Sequence, residues 1–146
     1  MEVSKLTYTR EILKQVLLLE REYLKDEELC IRSSEQGIIK CLCSKCSYGI
    51  FDCGRLVAFS LCYHSEYSTG YIEKCFVHPD YRGRGMQKLL LNKNLDALKR
   101  RNVDEVFAVV SPYNEASLKS FTRVGFVFKK NTECQKHRRL LLKKII

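Results

Sequence analysis

An α/β fold built around one mostly antiparallel sheet is predicted by three features of the 146-residue sequence. Runs of alternating apolar residues are interleaved with segments whose apolar residues recur every three or four positions, so strands and helices take turns along the chain. The middle of the chain carries three consecutive strand-like runs separated only by turn residues, the pattern of an antiparallel meander. Two prolines and seven glycines leave few breaks, and no Ser/Gly linker or internal repeat divides the chain, so residues 1–146 are expected to form one domain. At 45% hydrophobic, the chain can fill a sizeable core.

Element by element, Val3 to Tyr8 alternates weakly as a strand, and Thr9 can cap a helix carrying Leu13, Val16, Leu17 and Leu24 at helical spacing. A second helix from about Ser34 presents Ile38, Ile39 and Leu42 and ends near the cysteines at 41, 43 and 46. The meander is Tyr48 to Asp52, a Cys53-Gly54 turn, Arg55 to Tyr63, a loop through Ser68-Thr69-Gly70, and Tyr71 to Val77. Pro79 has no amide hydrogen and pushes His78 out of helical angles, so the third strand stops there. Leu90, Leu91, Leu95 and Leu98 then give one face of a helix from Met86 to Arg101, with Lys99-Arg100-Arg101 complementing its dipole. Glu105 to Val110 reads as a buried strand, Asn114 to Arg123 as a short helix closed by Gly125, and Phe126 to Lys129 and His137 to Leu142 as further strands. The order is β-α-α-β-β-β-α-β-α-β-β.

Composition excludes several classes. No apolar run approaches the roughly twenty residues of a bilayer span, and the opening residues are mixed polar rather than an apolar signal core, so a cytoplasmic protein with no membrane partner is expected. The eight cysteines then need not pair. The net charge of +9 is uneven: residues 1–54 hold 8 basic and 9 acidic groups, and residues 55–146 hold 18 against 8, a net of +10. The second half wants an anion, either a nucleic-acid backbone or a phosphorylated small molecule.

The segment Val77-His78-Pro79-Asp80-Tyr81-Arg82-Gly83-Arg84-Gly85-Met86-Gln87 favours the small molecule. It lies between a strand and a helix, where a glycine-bearing turn aims several backbone amides and the positive helix end at one spot. Gly83 and Gly85 permit close backbone approach, and Arg82 and Arg84 can neutralise charge at the rim. A diphosphate suits that geometry. The segment is neither a Walker A loop, since Gly-Lys-Ser/Thr is absent, nor a Rossmann fingerprint, since the three-glycine spacing is absent.

These residues resemble the GNAT superfamily of N-acyltransferases, whose acyl-CoA loop has the pattern Arg/Gln-x-x-Gly-x-Gly/Ala and here reads Arg82-Gly83-Arg84-Gly85-Met86-Gln87. Val77 to Tyr81 resembles the family's strand ending, and Asn114 followed by Gly125-Phe126 its later helix and strand. The resemblance covers the whole chain in element order, with recognisable motifs confined to residues 71–126. It implies a GNAT-like mixed sheet flanked by helices, acetyl-CoA as co-substrate, and no metal. It also implies a splayed pair of strands, 71–77 and 105–110, between which the pantetheine arm lies against backbone amides near Cys75, Phe76 and Val77. Such pairing is sensible because unpaired edge groups need partners. Asn114, the residue at Phe121 and a basic residue near Arg123 would also contact the cofactor.

The implied reaction transfers an acetyl group directly to a primary amine of a small molecule, peptide or protein. Glu73 is the candidate base, on the strand beside the thioester and sharing parity with Tyr71, Cys75 and Val77 provided no bulge intervenes. A solvated strand glutamate is the competing reading. Many family members carry a tyrosine that protonates the CoA sulfur where this chain has Phe121; a phenyl ring cannot donate, leaving water, Tyr113, Ser120 or an unassisted thiolate. Gln87 departs from the small residue that usually ends the loop. Both departures motivate an alternative, a non-catalytic acyl-CoA-binding module.

Other signals carry less. Cys41-x-Cys43-x-x-Cys46, with Cys30 and Cys53 nearby, fits no standard zinc spacing and reads as reduced structural thiols. Cys75 reads as a core residue rather than a nucleophile, and His64, His78 and His137 as surface or loop residues. Lys136 to Arg139 with Lys143-Lys144 reads as solvated strand charge rather than a nucleic-acid patch. Glu20, Glu22 and Asp26-Glu27-Glu28 fall where the family's first helices border the acceptor cleft and read as ordinary helix surface. A homodimer stays open.

Overall fold

The computed structural model describes residues 1–24 and 33–146; the acidic run at 26–28 and Cys30 lie outside them. The observed order is β1 (Glu2–Lys5), α1 (Arg10–Tyr23), α2 (Glu35–Cys43), β2 (Tyr48–Asp52), β3 (Arg55–His64), β4 (Thr69–Val77), a 3-10 turn at Pro79–Tyr81, α3 (Met86–Arg100), β5 (Glu105–Val110), α4 (Glu115–Arg123), β6 (Val127–Cys134) and β7 (His137–Ile145). This is the expected sequence of elements. Among the described residues, no helix is long and apolar enough to cross a membrane.

The caps explain where the helices begin. Thr9 Oγ1 accepts from Ile12 N at 3.1 Å, Ser34 Oγ from Gly37 N at 3.0 Å, and Asn114 Oδ1 from Ser117 N at 3.2 Å; each satisfies an amide the helix leaves orphaned. The last hairpin is longer than the sequence suggested. Gln135 and Lys136 both take positive φ, 50° and 67°, a two-residue turn that matches the strand twist without the usual Asn-Gly signal.

Seven strands form one sheet in the order β1-β2-β3-β4-β5-β7-β6. All neighbours are antiparallel except β4 and β5, which are parallel. One face packs α3 through Leu90, Leu91, Leu95 and Leu98, with Phe121 and Phe126 in the same cluster. The other face packs α1 and α2 through Leu13, Val16, Ile38 and Leu42 against Phe59, Leu61 and Phe76. Asn94 pins α3 by donating to the Cys46 carbonyl at 2.8 Å and accepting from the Ser60 hydroxyl.

Two irregularities shape the centre of the sheet. The β4–β5 ladder runs from Thr69↔Glu105 to Ile72↔Ala108 and stops, so the remainder of both strands parts into a gap. On the other edge of β4, Leu61 pairs with Lys74 while its neighbour Cys62 pairs with Ile72, leaving Glu73 as an extra, bulged residue. The expectation that Glu73 shares parity with Tyr71, Cys75 and Val77 is thereby corrected. Tyr71 stacks with Tyr63 at 5.0 Å on the face bearing α1 and α2, whereas Cys75 and Val77 pack into the cluster beneath α3.

Candidate active site

The gap between β4 and β5 opens into two adjoining cavities. The first, about 540 Å³, is lined by Tyr23, Cys75, Phe76, Val77, Arg82, Gly83, Gly85, Met86, Gln87, Asn114, Ser117, Ser120 and Arg123. The second, about 630 Å³, is lined by Tyr63, Tyr71, Glu73, Lys74, Cys75, Phe107, Val109, Asn114, Ser117, Phe121 and Arg139 among others. Cys75, Asn114 and Ser117 line both and mark where they meet. Both volumes fall in the range of small-molecule sites.

The loop of the first cavity is built by backbone. Gly83 and Gly85 sit at φ of +77° and +76°, in the left-handed region, and a Cβ at either would meet nothing within 4 Å. Gly85 precedes α3, and the first intrahelical bond of the helix returns from Leu89 N to Gly85 O, so the amides of the first turn have no helical acceptor. Arg82 and Arg123 also line this cavity. Open space over a glycine turn, orphan amides at a fifteen-residue helix and two guanidinium groups together fit a diphosphate.

Side-chain contacts brace this loop. Tyr81 donates to the Asp52 carboxylate, a bond that holds the Asp52 carboxyl below its ordinary range and pushes the Tyr81 phenol up. Arg82 Nε donates to Val77 O at 3.0 Å. Arg84 is not among the residues lining the cavity; its guanidinium lies 5.2 Å from the Tyr81 ring centroid and donates to Asp80 O. Gln87 Nε2 donates to Ser117 Oγ at 3.1 Å, tying the start of α3 to α4.

The second cavity is built by side chains. Tyr63, Tyr71 and Phe107 stack across β3, β4 and β5 with centroids 5.0 and 6.1 Å apart. Lys40 lies 4.0 Å over Tyr63, and Lys129 and Lys143 lie 5.4 and 5.7 Å over Phe107. Burial, aided by Glu73, raises the Tyr63 phenol. Lys74 and Glu20 form an ion pair of 2.5 Å with side chains 3% and 2% exposed. Glu20 is therefore no surface residue, contrary to expectation; it faces inward from α1 onto the bulge. Glu73 itself is exposed at the cavity wall.

Phe121 lines the second cavity rather than the first and is 3% exposed, edge-on to Phe126 at 5.0 Å. Of the substitute donors, Ser120 lines the first cavity, while Tyr113 is 64% exposed and lines neither. Of the two expectations for His78, surface or loop, the loop holds: it stands between β4 and the 3-10 turn, which it caps, and is 7% exposed. Cys41, Cys46 and Cys62 are buried with Ser44 and Ser47 between α2 and β3; the Cys62 thiol holds Cys46 below the ordinary thiol range, and burial pushes Cys41 up to about 12. Among the described residues, no three His, Cys, Asp or Glu side chains stand together as metal ligands.

Sequence reasoning missed the aromatic stack, the Lys74–Glu20 pair and Tyr23. One signal was readable: Lys74 occupies an inward position between the buried Ile72 and Phe76, where a charge demands a partner.

Comparison with known proteins settles the family. Residues 13–126 match the model of the acetyltransferase (GNAT) family. The chain belongs to that family, whose acyl donor is acetyl-CoA. It is 33% identical over 57 residues to N-alpha-acetyltransferase 30 of Schizosaccharomyces pombe, a match spanning 39% of this chain and only 38% of that relative's length. Among solved structures it is similar to Arabidopsis thaliana Naa50 in complex with the bisubstrate analogue CoA-Ac-MVNAL, with a TM-score of 0.82, 19% identity and 99% of each chain covered. It is also similar to the PaiA N-acetyltransferase of Thermoplasma acidophilum in complex with coenzyme A, with a TM-score of 0.79, 16% identity and 100% of both chains covered. At these identities the structures speak to the fold.

Proposed function

We propose that this GNAT-family chain acetylates the amino terminus of a peptide or protein, with the acyl donor in the first cavity and the acceptor in the second. The observation that carries the reading is the junction at Cys75, Asn114 and Ser117, which lets a ligand in one cavity meet a ligand in the other at the gap between β4 and β5. The relatives point the same way: one is named an N-alpha-acetyltransferase, and another was solved with a CoA–peptide conjugate.

The first-turn amides of α3, with Gly83, Gly85, Arg82 and Arg123, would hold the diphosphate end of the donor. The unpaired stretch of β4 at Cys75, Phe76 and Val77 would pair with its amide-bearing arm, as an added strand does. Asn114 spends Oδ1 on its cap; its Nδ2, which has no partner among the described residues, would donate at the junction. When bound, the donor supplies an activated thioester. Glu73, the bulged residue, would take the proton of the acceptor ammonium directly or through one water. Phe121 has no proton to give, and a thiolate, a far weaker base than an alkoxide, leaves without one.

The test is mass-spectrometric detection of free CoA and acetylated product after incubation with acetyl-CoA and a panel of peptides, amino acids and polyamines. Acetylated peptide amino termini are expected. Acetylation confined to small amines would overturn the peptide reading. The buried Phe121 favours one rival, an acyl-CoA-binding module, which predicts CoA binding without product from any acceptor.

A further inference from the structure

Tyr23 ends α1 against the cofactor cavity, its ring 6.2 Å from Phe76 and 4.6 Å from His78. Its hydroxyl lies 2.9 Å from His78 Nε2. The other nitrogen of that ring, Nδ1, accepts from the backbone amide of Asp80 at 3.0 Å. A nitrogen that accepts from an N–H carries no proton, so in the neutral imidazole the proton sits on Nε2. His78 therefore donates and Tyr23 Oη accepts. The phenolic proton is left over, and it has no acceptor among the described residues.

We infer that Tyr23 is a cofactor-binding residue, oriented by His78, whose hydroxyl donates to an amide carbonyl of the pantetheine arm. This rests on the donor occupying the first cavity as proposed above. The placement follows from what surrounds the hydroxyl: Cys75, Phe76 and Val77, the β4 stretch without a β5 partner, line the same cavity. An arm laid along that edge shows its amide groups alternately toward β4 and away from it. A donor opposite the strand satisfies a carbonyl that the strand cannot reach. His78 is a positioning residue in this scheme. It fixes which way the phenolic hydrogen points and itself stays held between Tyr23, Tyr81 and the Asp80 amide.

The experiment compares two ligands by calorimetry: coenzyme A, and adenosine 3′,5′-bisphosphate, which has the phosphorylated end without the arm. Tyr23→Phe should weaken coenzyme A about 3- to 10-fold, the worth of one such hydrogen bond, and leave the bisphosphate unchanged. His78→Asn keeps an acceptor for the Asp80 amide and removes the Nε2 donor; it should weaken coenzyme A alone by a similar factor, and the double variant should be no weaker than either single one. Unchanged coenzyme A affinity in Tyr23→Phe overturns the inference and spares the proposed function. Equal weakening of both ligands also overturns it, because the hydroxyl would then act on the phosphate loop. If the wild-type protein binds neither ligand, the inference and the proposed function fall together.

Discussion

The two cavities, about 540 and 630 Å³, adjoin at three residues and are made in opposite ways. The first comes largely from consecutive backbone between Cys75 and Lys88 plus one face of α4. The second gathers side chains from β3, β4, β5 and β7 and from the segment before α2. A ligand held by backbone amides needs glycines and a helix start at fixed offsets. One held by side chains needs only that distant residues arrive together. The first cavity thus suits a constant ligand, and the second can change its walls without disturbing the loop.

The sharpest way to break this contrast is to remove the charge pair beneath the second cavity. Lys74→Met leaves Glu20 buried without its partner and should cost about 3–5 kcal/mol in urea denaturation. Exchanging both residues for apolar ones of similar volume should recover most of that loss, because the penalty lies in the orphaned charge. A single variant costing little would mean that the pair is no structural support. The next effect falls on the first cavity. Gly85→Val forces a β-branched residue into the left-handed region and should weaken coenzyme A about 30- to 100-fold while the far-UV spectrum stays native. Unchanged affinity would move the diphosphate elsewhere.

What could be read beforehand follows the same division. The order of eleven helices and strands was legible because Leu90, Leu91, Leu95 and Leu98 keep a helical period and the meander alternates. The loop from Arg82 to Gln87 was legible because its chemistry is local. The parity of Glu73 was not, since a bulge is decided by pairing with β3 and nothing in the letters around Ile72 marks it. Nor was the aromatic stack: Tyr63, Tyr71 and Phe107 are separated in sequence and become neighbours only through strand order. Glu20 looked like an ordinary charge on a helix, and its burial depends on a lysine 54 positions away.

Glu73→Gln tests whether the bulge serves chemistry or only shape. Turnover should fall about 10- to 100-fold, most at low pH, where more of the acceptor is ammonium and the proton must be taken by the enzyme. Affinity for coenzyme A should stay within about twofold, as expected of a group that touches only the reacting amine. The check is a kcat/KM profile against pH alongside calorimetry. Wild-type rates would remove Glu73 from the reaction and leave the bulge a packing feature.

The smallest expected effect bears on how the phosphate loop is braced. Tyr81 donates to Asp52 across from the β2–β3 hairpin, and this bond depresses the Asp52 carboxyl in the folded protein. A depressed carboxyl contributes stability that is fully present above its unfolded value, about 3.9, and is lost as pH falls below it. Tyr81→Phe should therefore lower Tm slightly at neutral pH, with the gap to wild type closing as melts are repeated at acid pH and Asp52 titrates through its depressed folded value. Coenzyme A affinity should drop by less than about threefold, since Asp52 lies outside the first cavity's lining and its bond to Tyr81 acts only by bracing the loop. A Tm difference that persists unchanged into acid would assign the loss to packing of the Tyr81 ring against His78 and Arg84, and the loop would then be held by ring contacts rather than by the hairpin's carboxylate.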